Sequence, residues 1–164
     1  MMIFDIITDG LFAAVAAIGF GAISDPPLRA FPSIALLAAI GHALRFCLMT
    51  YVGIDIATAS LCASFTIGMG SLLLGKRILC PMTVLYIPAL LPMIPGMYAY
   101  KTVFALIMFM QNLGTPEMLQ KYIQDIFSNG LVTCSVIFML AVGATFPLFL
   151  FINRAFSMTR RKKA

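Results

Sequence analysis

Five long apolar blocks dominate the chain, each bounded by charges, prolines or glycines. A helix rising about 1.5 Å per residue needs about 20 mostly apolar residues to cross the hydrocarbon core of a bilayer. The blocks at 3–24, 31–51, 54–75, 82–113 and 131–153 reach that length. They predict an all-α integral membrane protein with about five transmembrane helices, in a single domain over 1–164. Asp25-Pro26-Pro27 stops the first block, and Lys76-Arg77 with Pro81 follows the third.

A different pattern lies between the last two blocks. Leu119, Tyr122, Ile123 and Ile126 follow i, i+3, i+4, i+7 spacing, while Glu117, Gln120, Lys121, Gln124 and Asp125 take the other face. Thr115 can cap this stretch, and Pro116 suits its first turn. The pattern predicts a short amphipathic helix at 115–128 lying in the membrane interface, with a partner-binding helix as the alternative.

Composition agrees. The chain is 62% hydrophobic and 10% charged, against roughly 45–50% apolar and 25% charged in soluble domains. The net charge of +5 is concentrated: Arg160, Arg161, Lys162 and Lys163 lie in a basic tail at 154–164. Such a tail faces anionic lipid on the cytoplasmic side, and no nucleic-acid partner is expected. With the C-terminus inside and five crossings, the N-terminus lies outside. The inner connections then carry Arg29, Lys76, Arg77, Arg154 and the four tail residues, and the outer ones Lys121 alone. A multi-pass membrane protein with its C-terminus in the cytoplasm fits that split. Asp5 and Asp9, sharing a helical face at i,i+4, stand where a signal peptide would be basic, so no cleaved leader is expected.

Cys47, Cys62, Cys80 and Cys134 form no CxxC pair and have no histidine at zinc-ligand spacing. HExxH, GxSxG and paired intramembrane aspartates are absent from the sequence. The chain is therefore expected not to be an enzyme and to use no metal or cofactor.

Three features carry the candidate chemistry. The third block has a stripe of small residues, Ala57, Ser60, Ser64, Gly68, Ser71 and Gly75, on one helical face. In lipid, such a face lets helix backbones approach closely, within this chain or against another subunit; Gly19 and Gly21 offer the same in the first block. The second block holds His42 and Arg45, three residues apart. An arginine there costs at least about 2.5 kcal/mol by insertion scales, so it needs a partner or a wet cavity. Asp55 is the candidate ion-pair partner, and His42 or Asp55 a candidate proton relay.

The third feature is the run Pro88-Ala-Leu-Leu-Pro92-Met-Ile-Pro95-Gly96-Met-Tyr98-Ala-Tyr100-Lys101. Each proline removes a backbone donor and crowds the preceding turn, which predicts a helix broken near 88–96. Unwound backbone at membrane depth is tolerated where it lines a cavity, and broken helices build transporter sites. Freed carbonyls suit a cation, a half-helix N-terminus near Gly96 suits an anion, and Lys101 and Arg45 would attract a carboxylate. A merely proline-kinked structural helix is the alternative.

These residues carry a resemblance. Pro88-x-x-x-Pro92-x-x-Pro95-Gly96 with Tyr98, Tyr100 and Lys101, together with Gly41-His42-Ala43-Leu44-Arg45, resembles the threonine/serine exporter family over nearly the whole chain. The likeness is to its small membrane-subunit type, which corresponds to the C-terminal membrane domain of longer single-chain exporters. It implies proton-driven efflux of threonine and serine across the bacterial inner (cytoplasmic) membrane, or of succinate as in some two-subunit members. It also implies a larger membrane partner of the same family. A higher oligomer and a purely structural role beside that partner stay open.

Overall fold

A computed structural model describes residues 2–151. The basic tail and the last residues of the fifth apolar block fall outside the described residues. Every regular element described is helical: α1 (Met2–Ile23), α2 (Phe31–Cys47), α3 (Ile56–Ile78), α4 (Met82–Leu90), α5 (Gly96–Gln111) and α6 (Pro116–Leu150). Four stretches, Phe4–Ile23, Leu28–Val52, Ile56–Ile78 and Pro116–Leu150, are each long and apolar enough to cross a membrane. Met82–Met93 and Gly96–Gln111 pass the same test together, which makes five when that pair is one span.

The helices fall into two compact units. The first holds the residues up to Met93 and those from Met139, and the second holds Ile94–Phe138. In the first, α2 packs on α1, α3 and α4, while α4 also meets α1 and α3. Its core is small and aliphatic: Ala13, Ala17, Ile34, Ala38, Ala63, Ile67, Leu85 and Ala144 are buried. Many large apolar side chains point outward instead, among them Phe4, Phe12, Ile23, Leu73 and Phe149. That inside-out distribution is what lipid as the solvent allows, because association rests on close packing rather than on apolar burial.

Local chemistry fixes the ends. Asp55 caps α3, its carboxylate accepting from the Thr58 amide at 2.9 Å. That bond holds the Asp55 carboxyl below its usual range. At the other end Leu79 adopts a left-handed conformation (φ 54°), and the Cys80 amide closes onto the Gly75 carbonyl at 2.9 Å. Lys76 and Arg77 occupy the last turn, where the helix dipole favours cations. α2 continues through a π-helical turn, Leu48–Val52, to Gly53 at φ 72°.

Two elements differ from the sequence reading. Pro88 does not break its helix: it is buried within α4, and the chain stays helical through a 3₁₀ turn at Leu91–Met93. The break is confined to Ile94 and Pro95, where Pro92 and Pro95 have together withdrawn two nearby donors. The amphipathic stretch at 115–128 is not a separate helix either. It forms the first turns of α6, which runs 35 residues without interruption. Ser128, Asn129 and Gly130 would favour a stop, yet the helix continues through them, with Ser128 Oγ and Asn129 Nδ2 donating back to the carbonyls of Gln124 and Asp125. At about 1.5 Å per residue α6 is about 52 Å long, well beyond a hydrocarbon core of about 30 Å.

The second unit is a helical hairpin of α5 and the first part of α6. Its turn is closed by the Asn112 amide on Met108 and the Thr115 amide on Asn112. Gly130 faces Thr102 across it: a Cβ there would lie 3.4 Å from Thr102 Cγ2.

Candidate functional site

Glycines set the spacing of the polar groups inside the first unit. A Cβ on Gly10 would lie 3.1 Å from the Ala39 carbonyl oxygen, so α1 and α2 approach closely there. A Cβ on Gly41 would overlap the Ile67 side chain, so the missing side chain makes room for Ile67 of α3 against α2. One residue before Gly10 stands Asp9, and one after Gly41 stands His42. The close approach puts them in contact: His42 Nδ1 lies 2.5 Å from Asp9 Oδ2, with both side chains mostly buried.

Arg45, one turn along α2, extends the network. Its Nη1 donates to the Met93 carbonyl at 2.6 Å, and its Nη2 lies 3.4 Å from His42 Nε2. Met93 is the last residue before the helix break. Its carbonyl would ordinarily accept from the amide of residue 96 or 97, but the Gly96 amide bonds to Ile94 at 2.8 Å. The guanidinium thus supplies the donor that the break removes. It also sets a positive charge at the C-terminal end of a helical stretch, where the dipole is negative.

Arginine has donors only, so the Arg45 contact is a hydrogen bond in the tautomer whose Nε2 accepts and whose Nδ1 proton faces Asp9. The chain Asp9–His42–Arg45–Met93 carbonyl sets a carboxyl, an imidazole and a guanidinium in succession, and each member has a partner. This is the arrangement that makes an ion pair tolerable among apolar helices.

The expected Arg45–Asp55 pair does not form. Asp55 is exposed and spends its carboxylate on the α3 cap. The aspartate that reaches the network is Asp9, a residue the sequence reading noted for its face but did not assign. The signal was available: an ionisable residue inside an apolar span is a functional candidate by default.

Pro92 lies in the 3₁₀ turn and Pro95 directly precedes α5. The half-helix N-terminus at Gly96 offers fewer free amides than the sequence suggested, because Tyr98 and Ala99 both donate to the Pro95 carbonyl at 3.1 Å. Tyr98 and Tyr100 are exposed, and Tyr100 stacks on Phe104 at 6.1 Å. Lys101 belongs to the second unit, where it lines a cleft of about 440 Å³ with residues of α6.

The small-residue stripe is inside the first unit. Ser60, Ser64, Gly68, Ser71 and Gly75 are buried, and Ala57 is half-buried. Gly68 faces α6 so closely that a Cβ would lie 2.7 Å from the Ala144 carbonyl oxygen. Ser64 Oγ donates to Leu61 and, at 3.3 Å, to Met139 of α6. Among the described residues no group of histidine, cysteine and acidic side chains could hold a metal ion.

A multi-pass helical protein with a network of ionisable side chains among its spans has the build of a membrane transporter. The chain belongs to the threonine/serine exporter family: the family model described as Threonine/Serine exporter, ThrE, matches residues 9–150. Members of that family are transporters rather than enzymes. An uncharacterised protein of Haemophilus influenzae is 29% identical over 134 residues, which are 82% of this chain and 45% of that protein. The chain thus spans about half the length of that curated relative. No solved structure matches it.

Proposed function

We propose that this chain is one subunit of a proton-coupled secondary exporter of threonine and serine, working with a larger membrane subunit of the same family. Membership in the family supports the transport class, and the likeness to the family's small membrane-subunit type supports a larger partner. The distribution of basic residues supports an inner-membrane protein with its N-terminus outside and its C-terminus in the cytoplasm.

The observation that carries the coupling is the network from Asp9 to the Met93 carbonyl. In the tautomer protonated at Nδ1, a second proton on His42 would enter at Nε2, the side that faces Arg45 at 3.4 Å. Two cations would then face each other, and Arg45 would withdraw. The Met93 carbonyl would lose its donor and the break at Ile94-Pro95 would be released. Proton uptake and movement of the broken helix are thereby linked through one side chain, as a population shift between two arrangements requires. In this reading His42 is the relay, and Asp9 stands in the place considered for Asp55.

The test is export of labelled threonine, serine and succinate from cells expressing this chain with its partner, over a range of external pH. Asp9→Asn and His42→Gln should each abolish the pH dependence and most of the flux. Normal, pH-dependent export by both variants would sink the coupling assignment. Export of succinate alone would replace the amino acids by a dicarboxylate, and flux that does not saturate would mark a channel.

A further inference from the structure

The helical hairpin of the second unit carries polar groups that the network in the first unit does not use. Its cleft, about 440 Å³, is lined by Lys101 and Phe104 of α5 and by Lys121, Tyr122, Asp125 and Asn129 of α6, among others. That volume falls in the roughly 300–1,000 Å³ range of small-molecule sites. Lys121, Asp125 and Asn129 recur every fourth residue and so share one helix face.

The charges in this cleft do not neutralise one another. Lys121 and Asp125 stand at i,i+4, where ion pairs commonly form, yet among the described residues Lys101, Lys121 and Asp125 make no ion pair with each other or with anything else. Asn129 has one role fixed: its Nδ2 donates to the Asp125 main-chain carbonyl at 2.8 Å, which leaves its Oδ1 free to accept. The lining therefore offers two ammonium groups, and beside them two acceptors, a carboxylate and an amide oxygen. The complement is a small molecule that carries a carboxylate and an ammonium close together, as an α-amino acid does on a single carbon.

We propose that this cleft binds a free α-amino acid, Lys101 and Lys121 taking its carboxylate and Asp125 with Asn129 its ammonium, and that Asp125 excludes dicarboxylates. The exclusion follows from charge: a second carboxylate in place of the ammonium would face Asp125, and like-charge juxtaposition is how a site rejects a near relative of its ligand. The proposal deepens the exporter reading and rests on it for the ligand's role as cargo. Binding itself is tested apart from transport.

The experiment is equilibrium binding of L-threonine and of succinate to the full chain in nanodiscs, with and without phosphatidylethanolamine. Circular dichroism checks that each variant is folded. Threonine should bind saturably in both kinds of disc. Lys101→Gln and Lys121→Gln should each weaken it by roughly tenfold to a hundredfold, the worth of a charge-assisted hydrogen bond. The arginine variants at the same positions should retain it. Asp125→Asn should lose threonine by a similar factor and gain succinate. Threonine binding that is absent, or equal in all these variants, overturns the proposal. So does a Lys-dependent site that responds only to phosphatidylethanolamine, which would make it a lipid-headgroup site. If the cleft variants bind and export normally while Asp9→Asn does not export, the cleft assignment falls and the exporter reading stands. If the wild-type complex exports neither compound, the exporter reading falls, and the binding data still judge the cleft.

Discussion

Replacing Arg45 by methionine keeps an unbranched stem of similar reach and deletes the guanidinium. Two effects oppose each other. The variant loses a charge-assisted hydrogen bond to Met93 at 2.6 Å, worth about 1.5–3 kcal/mol, and leaves that carbonyl without a donor at the helix break. It also escapes the cost of placing an arginine among membrane helices, at least about 2.5 kcal/mol by insertion scales. The terms nearly cancel, so the net destabilisation should be small, about 1–2 kcal/mol, most of it from Asp9 left without its countercharge. Transport should fail outright, because nothing remains to tie the break to His42. A double-mutant cycle with Asp9→Asn isolates the charge balance: the double variant should recover about 1 kcal/mol relative to additivity. The assay is reversible unfolding of the full chain in bicelles, paired with export from cells containing the partner. Arg45→Lys should not restore export, since a single ammonium does not replace a planar fork of donors. Additive stabilities together with retained export would refute the reasoning.

The glycines give a second, graded test. Gly68→Ala puts a Cβ 2.7 Å from the Ala144 carbonyl oxygen and 3.0 Å from Pro147 Cγ, an overpacking that should cost about 1–3 kcal/mol. Gly19→Ala meets nothing within 4 Å and should stabilise by up to about 1 kcal/mol through helix propensity; equal effects in the same unfolding measurement would contradict the packing of α3 on α6. For the α3 cap, Asp55→Ala should speed amide exchange at Thr58 while Asp55→Asn largely preserves it. Because the Asp55 carboxyl is held below its usual value by that amide, its contribution is full above the unfolded pKa and is lost as pH falls through the folded one. The protection factor of the Thr58 amide in the wild type, its exchange taken relative to the free-peptide rate at the same pH, should therefore fall only below the usual carboxylate range.

The spans were legible because lipid imposes a minimum length and a composition on any segment that crosses it. The proline-rich break was legible in kind but not in position. One buried proline costs a helix a single hydrogen bond, and α4 absorbs Pro88; only the spacing of Pro92 and Pro95 opens the backbone, two residues wide. The need for a partner to Arg45 was readable from the cost of the charge, but the partner was not. Asp55 is nearer in sequence, yet it caps its own helix. Asp9 reaches the network because Gly10 lets α1 close onto Ala39, a contact decided by helix packing and invisible to sequence separation. The join between the amphipathic stretch and the last span was hidden for a related reason. Ser128 and Asn129 are turn formers by composition, and here their side chains bond back along the helix they would otherwise end.

The network has a practical consequence for spectroscopy. His42 is the only histidine in the chain, and its two ring nitrogens have different neighbours, Nδ1 facing Asp9 and Nε2 facing Arg45. A sample labelled with nitrogen-15 at histidine alone would give a spectrum of one imidazole needing no assignment. Its two resonances would stay apart while Arg45 holds the break and converge when the ring takes a second proton. Following them across pH, or on adding the partner or a transported compound, would read the arrangement of the helices from a single native side chain, with no probe attached.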